Sequence, residues 1–165
     1  YRIDFAGLTF VHSSDTRAGW PLVRACDGGV DLLIHECFPP AAALAAASGL
    51  SIERATMALN AAHTSPQAAG KVFGLVKPRM AGLWHTLLSP QVIPLIFAEL
   101  SAVYDGPVVQ TQDLTVFNIT KEAVVARQAQ VMDQLPPIPG KQRMAFTPMP
   151  PEPPAWWAEA LIPLD

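Results

Sequence analysis

A short apolar strand that ends in polar residues constrains this fold more than any other feature. Residues 8–11 alternate as a strand does, and the run then gives way to a Ser-Ser-Asp-Thr sequence that contains Asp15. A strand that ends this way presents side chains where the backbone turns at the edge of a sheet. Three later segments also finish in ionisable residues, at His35-Glu36, at His63 and at His85.

Strands that alternate with helices predict an α/β fold with layered α+β character. Predicted strands cover residues 1–5, 8–11, 30–34, 80–84, 108–109 and 114–119, and predicted helices cover residues 20–26, 41–48, 51–60, 64–77, 89–104 and 121–134. Ligands of open α/β sheets bind beyond the carboxyl ends of the strands. We therefore expect the site at that edge.

The chain changes character at its C-terminal end, where nine of the 17 prolines lie between Pro136 and Pro163. This composition predicts a domain over residues 1–134 and a Pro-rich arm over residues 135–165. A short apolar helix is predicted at residues 154–161, and it would carry Trp156 and Trp157. We expect this helix to dock on the domain's own groove or on a partner subunit, and we expect a homodimer.

The composition of the chain limits the kinds of partner that we expect it to bind. Half of the residues are hydrophobic and 15% are charged, which predicts surface buried against something else. The net charge of −3, without a basic run, argues against nucleic acid. No uncharged apolar run reaches 18 residues, so we predict no membrane span.

We expect a soluble protein, cytoplasmic or periplasmic, with Cys26 and Cys37 as free thiols. Because the chain begins at Tyr1 within a predicted strand, we expect a fragment or a processed chain.

Histidines placed at strand ends beside carboxylates suit Zn²⁺ with one position open for water. A single histidine is usually structural, and the chain has no HxH or HExxH pair, so spacing alone does not assign a metal. Serine nucleophiles are disfavoured because Ser13, Ser14 and Ser65 are not in a GxSxG turn.

Five motifs in order resemble the metallo-β-lactamase superfamily, and the ribonuclease Z and arylsulfatase branch most closely. They lie at residues 14–16 (SDT), 31–36 (DLLIHE), 63–65 (HTS), 82–85 (GLWH) and 113–119 (DLTVFNI), within residues 1–120. The resemblance implies the C-terminal half of an αββα sandwich. The HxHxDH motif and a further ligand histidine of that family are not in this chain. We therefore expect an N-terminal half in the same protein or in a separate chain.

The resemblance also implies roles for individual residues. Asp15 matches the bridging metal carboxylate and takes part in catalysis, His85 matches a late metal ligand, and His63 matches the cleft histidine that assists catalysis. Glu36, with His35, matches the acid that supports the site from behind. Trp84 replaces the usual threonine and offers a stacking face, and we group Asn60 with it as substrate-binding. His12 has no firm counterpart, and Ser14 replaces the usual glycine.

The expected activity is that of a metal-dependent hydrolase with one or two zinc ions, or Mn or Fe in their place. The expected substrate is a small aromatic or ester-like molecule, and hydrolytic dehalogenation is a variant of the same chemistry. Two alternatives stay open. One is a transfer-RNA 3′-processing endonuclease of the same fold, and the other is a non-catalytic structural or dimerisation half.

Overall fold

A computed structural model describes residues 1–130 and 161–163 of the chain. Seven strands are present in this part: β1 Arg2–Phe5, β2 Leu8–His12, β3 Leu32–Glu36, β4 Met80–Trp84, β5 Val108–Gln110, β6 Thr115–Ile119 and β7 Val124–Gln128. The helices are α1 Trp20–Ala25, α2 Ala41–Ser48, α3 Ile52–Ala62, α4 Pro66–Val76 and α5 Val92–Ser101. The predicted α/β class is confirmed.

Five strands form one sheet in the order β1-β2-β3-β4-β5. β1 is antiparallel to β2, and the other neighbours are parallel, with Ile34 opposite both His12 and Gly82. β3 is buried along most of its length, as its continuous apolar sequence predicts. Because β2 to β5 run in one direction, their carboxyl ends meet at one edge of the sheet.

The core lies between one face of this sheet and helices α1, α4 and α5. Leu33 and Leu83 contribute from the sheet, and Phe73 contributes from α4, each fully buried. Gly70 lets α4 and α5 approach closely, since a Cβ at this position would lie 3.1 Å from Leu100 O in α5 and 2.5 Å from Val103 Cγ2 just after it. This packing holds α4 with its first turn at the carboxyl edge of the sheet.

Local sequence explains most helix ends. Ser51 and Ser65 each accept a hydrogen bond at the start of a helix, from Arg54 N and Ala68 N. Gly49 ends α2 in the left-handed conformation with φ at 69°.

The prediction of a helix at residues 121–134 is wrong over the part that the structure describes. Residues 124–128 form β7, which pairs antiparallel with β6, so that Val124 lies opposite Ile119. Thr120 closes the turn between them, since its Oγ1 accepts hydrogen bonds from Glu122 N at 3.2 Å and Ala123 N at 3.1 Å. The pairing with β6 overrides the helix propensity of the Glu, Ala, Arg and Gln residues in this segment.

Apolar side chains lie exposed on the outer strands. Ile3 and Phe5 of β1 are 53% and 79% exposed, and Val116 and Val125 of the β6–β7 hairpin are also exposed. Exposed apolar residues on neighbouring strands are typical of a face that packs against another element.

The segment 161–163 lies against the domain. Leu161 pairs with Gly19 in an antiparallel bridge, Ile162 is buried in the core, and Lys71 Nζ donates to Pro163 O at 3.3 Å. Trp156, Trp157 and the rest of the predicted arm lie outside the described residues, so its docking stays a prediction. Within the described part of the chain, every helix is too short or too polar to cross a bilayer.

Candidate active site

Four predicted site residues meet at the carboxyl edge of the sheet. Asp15 follows β2, Glu36 ends β3, His85 follows β4, and His63 precedes α4. Backbone hydrogen bonds hold the connecting loops together. Ser13 N donates to Ile34 O, and Phe38 N donates to Thr64 O, both at 2.9 Å. The sheet order therefore brings together residues that are far apart in sequence.

Asp15 and His85 form the outer pair of this site. Asp15 Oδ1 lies 3.2 Å from His85 Nδ1, and the two side chains are 53% and 38% exposed. Two backbone positions here are left-handed without being glycine, namely Ser14 at φ 63° and His85 at φ 55°. Such positions are uncommon, and they cluster at functional sites. The left-handed backbone at Ser14 favours glycine, which is the residue that Ser14 replaces in the motif this segment resembles.

Glu36 forms the inner part of the site, and its carboxylate is fully buried. Oε1 accepts from His63 Nδ1 at 2.6 Å and from Thr64 N at 3.1 Å, and Oε2 accepts from Thr16 N at 2.6 Å. Thr64 Oγ1 also donates to Thr16 O at 2.7 Å, which joins the two loops. The buried charge is thus compensated by three donors, as burial of a carboxylate requires.

His63 is held from two sides. Its Nδ1 donates to Glu36, because an ionised carboxylate can only accept. The Phe38 ring stacks on the imidazole with the centroids 3.8 Å apart and the planes at 16°. The ring centroid of His63 lies 5.6 Å from that of His85. In the neutral ring this arrangement leaves Nε2 as the nitrogen that can accept a proton.

Two groups of side chains have metal-binding chemistry. Glu36, His63 and His85 each offer one ligand atom, and these atoms lie within 4.8 Å of one another. Glu36 would have to give up existing hydrogen bonds to bind an ion, whereas Asp15 and His85 are more exposed and already lie at contact distance. Carboxylate oxygen and imidazole nitrogen are ligands that Zn²⁺ accepts in proteins. Asp15 and His85 therefore fit part of a metal shell, and Glu36 fits the support behind it.

The other predicted residues lie near this edge, but in different ways. Trp84 lies between two imidazole rings, with centroids 4.7 Å from His12 and 5.3 Å from His85. His35 points into the core, where its Nδ1 lies 2.7 Å from the backbone O of Glu36, and burial lowers its pKa. Asn60 lies in the wall of a cleft beside His63.

His12 is a neighbour of the site for which sequence analysis predicted no role. Its Nδ1 accepts from Ser14 N at 3.0 Å, which places the proton of the neutral ring on Nε2. Burial lowers the pKa of His12, and the nearby Asp15 carboxylate opposes this effect. Its position at the end of β2 was the available signal.

A cleft of about 380 Å³ has His63 in its lining. Its walls come from the loop before α1, from α3 and α4, and from the C-terminal segment. The lining residues are Arg17, Ala18, Asn60, His63, Ser65, Ala68, Leu161, Ile162 and Pro163. Sequence analysis did not identify Arg17, Thr16 or Thr64. The two threonines were marked only by adjacency to Asp15 and His63 in the motifs.

No protein-family model and no curated protein sequence matches the chain. Among solved structures, the chain is similar to the metallo-beta-lactamase fold protein YhfI from Bacillus subtilis, with 20% identity and a TM-score of 0.48. The match covers 67% of this chain and 40% of that one, so this chain spans less than half of that protein's length. At this level of similarity, neither membership of a family nor an activity follows from the comparison.

Proposed function

We propose that this chain is the C-terminal half of a metal-dependent hydrolase of the metallo-β-lactamase superfamily, from the ribonuclease Z and arylsulfatase branch. The observation that carries the proposal is the juxtaposition of two pairs at one sheet edge. Asp15 and His85 form an outer pair with metal-ligand chemistry, and His63 and buried Glu36 form an inner pair with proton-transfer chemistry. A metal site beside an oriented histidine is what hydrolysis of an ester-like bond needs.

Asp15 and His85 are the residues of this chain that would hold the metal. We expect one or two zinc ions, with Mn or Fe as alternatives, and the remaining ligands to come from the N-terminal half. A bound divalent cation supplies Lewis acidity and makes water nucleophilic at neutral pH. The backbone is left-handed at His85 and at Ser14, the residue before Asp15. This conformation sets the positions from which the side chains of Asp15 and His85 leave the main chain.

His63 carries the proton transfer in this proposal. Glu36 binds Nδ1 and Phe38 stacks on the ring, so the imidazole has one orientation. In the neutral ring Nε2 can take a proton from the attacking water, and the protonated ring can give one to the leaving group. Because Thr16 N and Thr64 N also bind Glu36, the two loops and His63 share one anchor.

Aromatic side chains around the pairs support a small, apolar or aromatic substrate. Phe38 contacts both His63 and His85, and Trp84 lies beside His85. Rings of this kind bind planar groups by stacking. Aryl esters are therefore the first substrates to test, and activated aryl halides are the second.

The test pairs metal content with esterase activity in the full protein. Asp15→Ala should lose bound metal and turnover together, because it removes a ligand. His63→Ala should keep the metal and lose turnover by about 100- to 10,000-fold, which is the range of general acid–base catalysis. Asp113→Ala removes an exposed carboxylate away from the site and should change neither property.

Three results would count against the proposal. Full activity in Asp15→Ala would show that the pair does not serve the reaction. A full protein without metal and without turnover would instead favour the non-catalytic structural half. Binding of transfer RNA that weakens steeply with salt would favour the nuclease alternative.

A further inference from the structure

The cleft beside His63 has the size and the lining of a binding site for a small organic group. Its volume of about 380 Å³ lies within the range of small-molecule pockets. One end is formed by His63, and another wall is formed by Leu161, Ile162 and Pro163. A molecule in this cleft would therefore lie directly against the proposed proton-transfer residue.

One residue in the described lining of the cleft, Arg17, supplies a cationic group that an anion can meet. Arg17 lies in its wall, and the described lining residues include no Asp or Glu. Arg17 is partly buried, and burial lowers its pKa, but a guanidinium stays charged at all ordinary pH values. It has other interactions within the chain. With five N–H donors in a planar fork, it can bind a carboxylate as well as existing partners.

The remaining lining residues define the shape of the ligand. Ser65 Oγ accepts from Ala68 N at 3.3 Å, which leaves the hydroxyl proton able to donate. Asn60 adds an amide at the rim. Leu161 and Ile162 add an apolar wall, which Lys71 fixes by donating to Pro163 O at 3.3 Å. Hydrogen-bond donors on one part of the lining and an apolar wall on another suit a ligand with a carboxylate attached to a short aryl or alkyl group.

We propose that this cleft binds a carboxylate-bearing part of the substrate, with Arg17 as the anion-binding residue and residues 161–163 as the apolar wall. The position of the reacting bond at His63 rests on the proposed function. Binding of the carboxylate itself does not, because it needs neither metal nor turnover. The expected substrates are therefore small esters that also bear a free carboxylate, and this carboxylate lies on the leaving group.

A binding experiment tests the cleft alone. Benzoate and its neutral counterpart benzamide are titrated into the full protein, with calorimetry for affinity and amide resonances of Leu161 and Ile162 for location. Benzoate should bind at least about tenfold more tightly than benzamide and shift both resonances, as a charge-assisted pair predicts. Arg17→Gln should remove this preference, Arg17→Lys should keep part of it, and Arg54→Gln, which removes an exposed charge on α3, should leave it unchanged.

Three results would overturn the inference. These are equal affinities for benzoate and benzamide in the wild type, unchanged preference in Arg17→Gln, or resonance shifts that avoid residues 161 and 162. The wild-type comparison stands even if Arg17→Gln does not fold.

A kinetic experiment separates this inference from the proposed function. The metal-loaded protein is given 4-acetoxybenzoate and 4-acetoxybenzamide, which differ in charge on the leaving group. If Arg17 controls benzoate binding but neither ester is hydrolysed, the cleft stands and the proposed function fails. If both esters are hydrolysed with the same kcat/KM and Arg17→Gln changes nothing, the function stands and the cleft assignment fails.

Discussion

Replacing Glu36 with Gln should destabilise the fold strongly while barely changing the volume of the side chain. The carboxylate accepts from three donors: His63 Nδ1, Thr64 N and Thr16 N. An amide has only one acceptor oxygen. If that oxygen takes the place of Oε1, the new NH₂ group faces Thr16 N–H across 2.6 Å, so donor meets donor. If the amide is turned, its NH₂ group faces Thr64 N–H instead.

The size of the loss follows from these contacts. A hydrogen bond to a charged group contributes about 1.5–3 kcal/mol, and at least one such bond is lost in either orientation. The bonds that remain become neutral and weaken. We therefore expect Glu36→Gln to lower the free energy of unfolding by about 2–4 kcal/mol.

Urea denaturation followed by circular dichroism measures this change. Glu122→Gln is the matched control, because Glu122 is exposed at the β6–β7 turn, and it should unfold like the wild type. A loss smaller than about 0.5 kcal/mol for Glu36→Gln, which is the range of ordinary surface substitutions, would refute the three-donor account.

Three further perturbations test other parts of the structure. Gly70→Ala should lower stability by about 1–3 kcal/mol through overpacking, since the new Cβ would meet Val103 Cγ2 at 2.5 Å, and Gly74→Ala, which meets nothing within 4 Å, should not. The pKa of Asp31 is held low by a hydrogen bond from Thr9 N and then by Arg79. A lowered folded pKa means that this stabilisation is present above the unfolded pKa near 4 and is lost as pH falls through the folded value, so Asp31→Asn should flatten the acid side of a stability–pH curve. Deleting residues 150–165 should shift the size in solution if the arm supports a dimer, and light scattering that gives an unchanged oligomer would exclude that role.

Alternation and helix-start signals predicted most elements within a few residues. Buried β3 followed from its apolar run, and α4 followed from Ser65 and Pro66 at its start. β7 was missed because residues 121–128 combine two valines with helix-favouring residues, and only pairing with β6 decides between the two. The local sequence of residues 121–128 gives no information about its pairing with β6.

The residues of the site could be predicted from the sequence, but the hydrogen bonds and tertiary contacts that join them could not. Asp15, Glu36, His63 and His85 could be placed at one edge because they follow strands or precede a helix. The donors to Glu36 come from residues 20, 27 and 28 positions away, so no local pattern reveals them. The cleft needs residues 161–163 to return to Gly19 and Lys71, which is a tertiary contact that the sequence does not encode locally.

The most direct test of the central claim is a crystal structure of the full protein grown with Zn²⁺, with the ion located by anomalous scattering. We expect an ion bonded to a carboxylate oxygen of Asp15 and a nitrogen of His85 at about 2.0–2.2 Å, with the hydrogen bonds of Glu36 intact. An ion bound instead by Glu36 and His63, or no ion at this edge of the sheet, would contradict it.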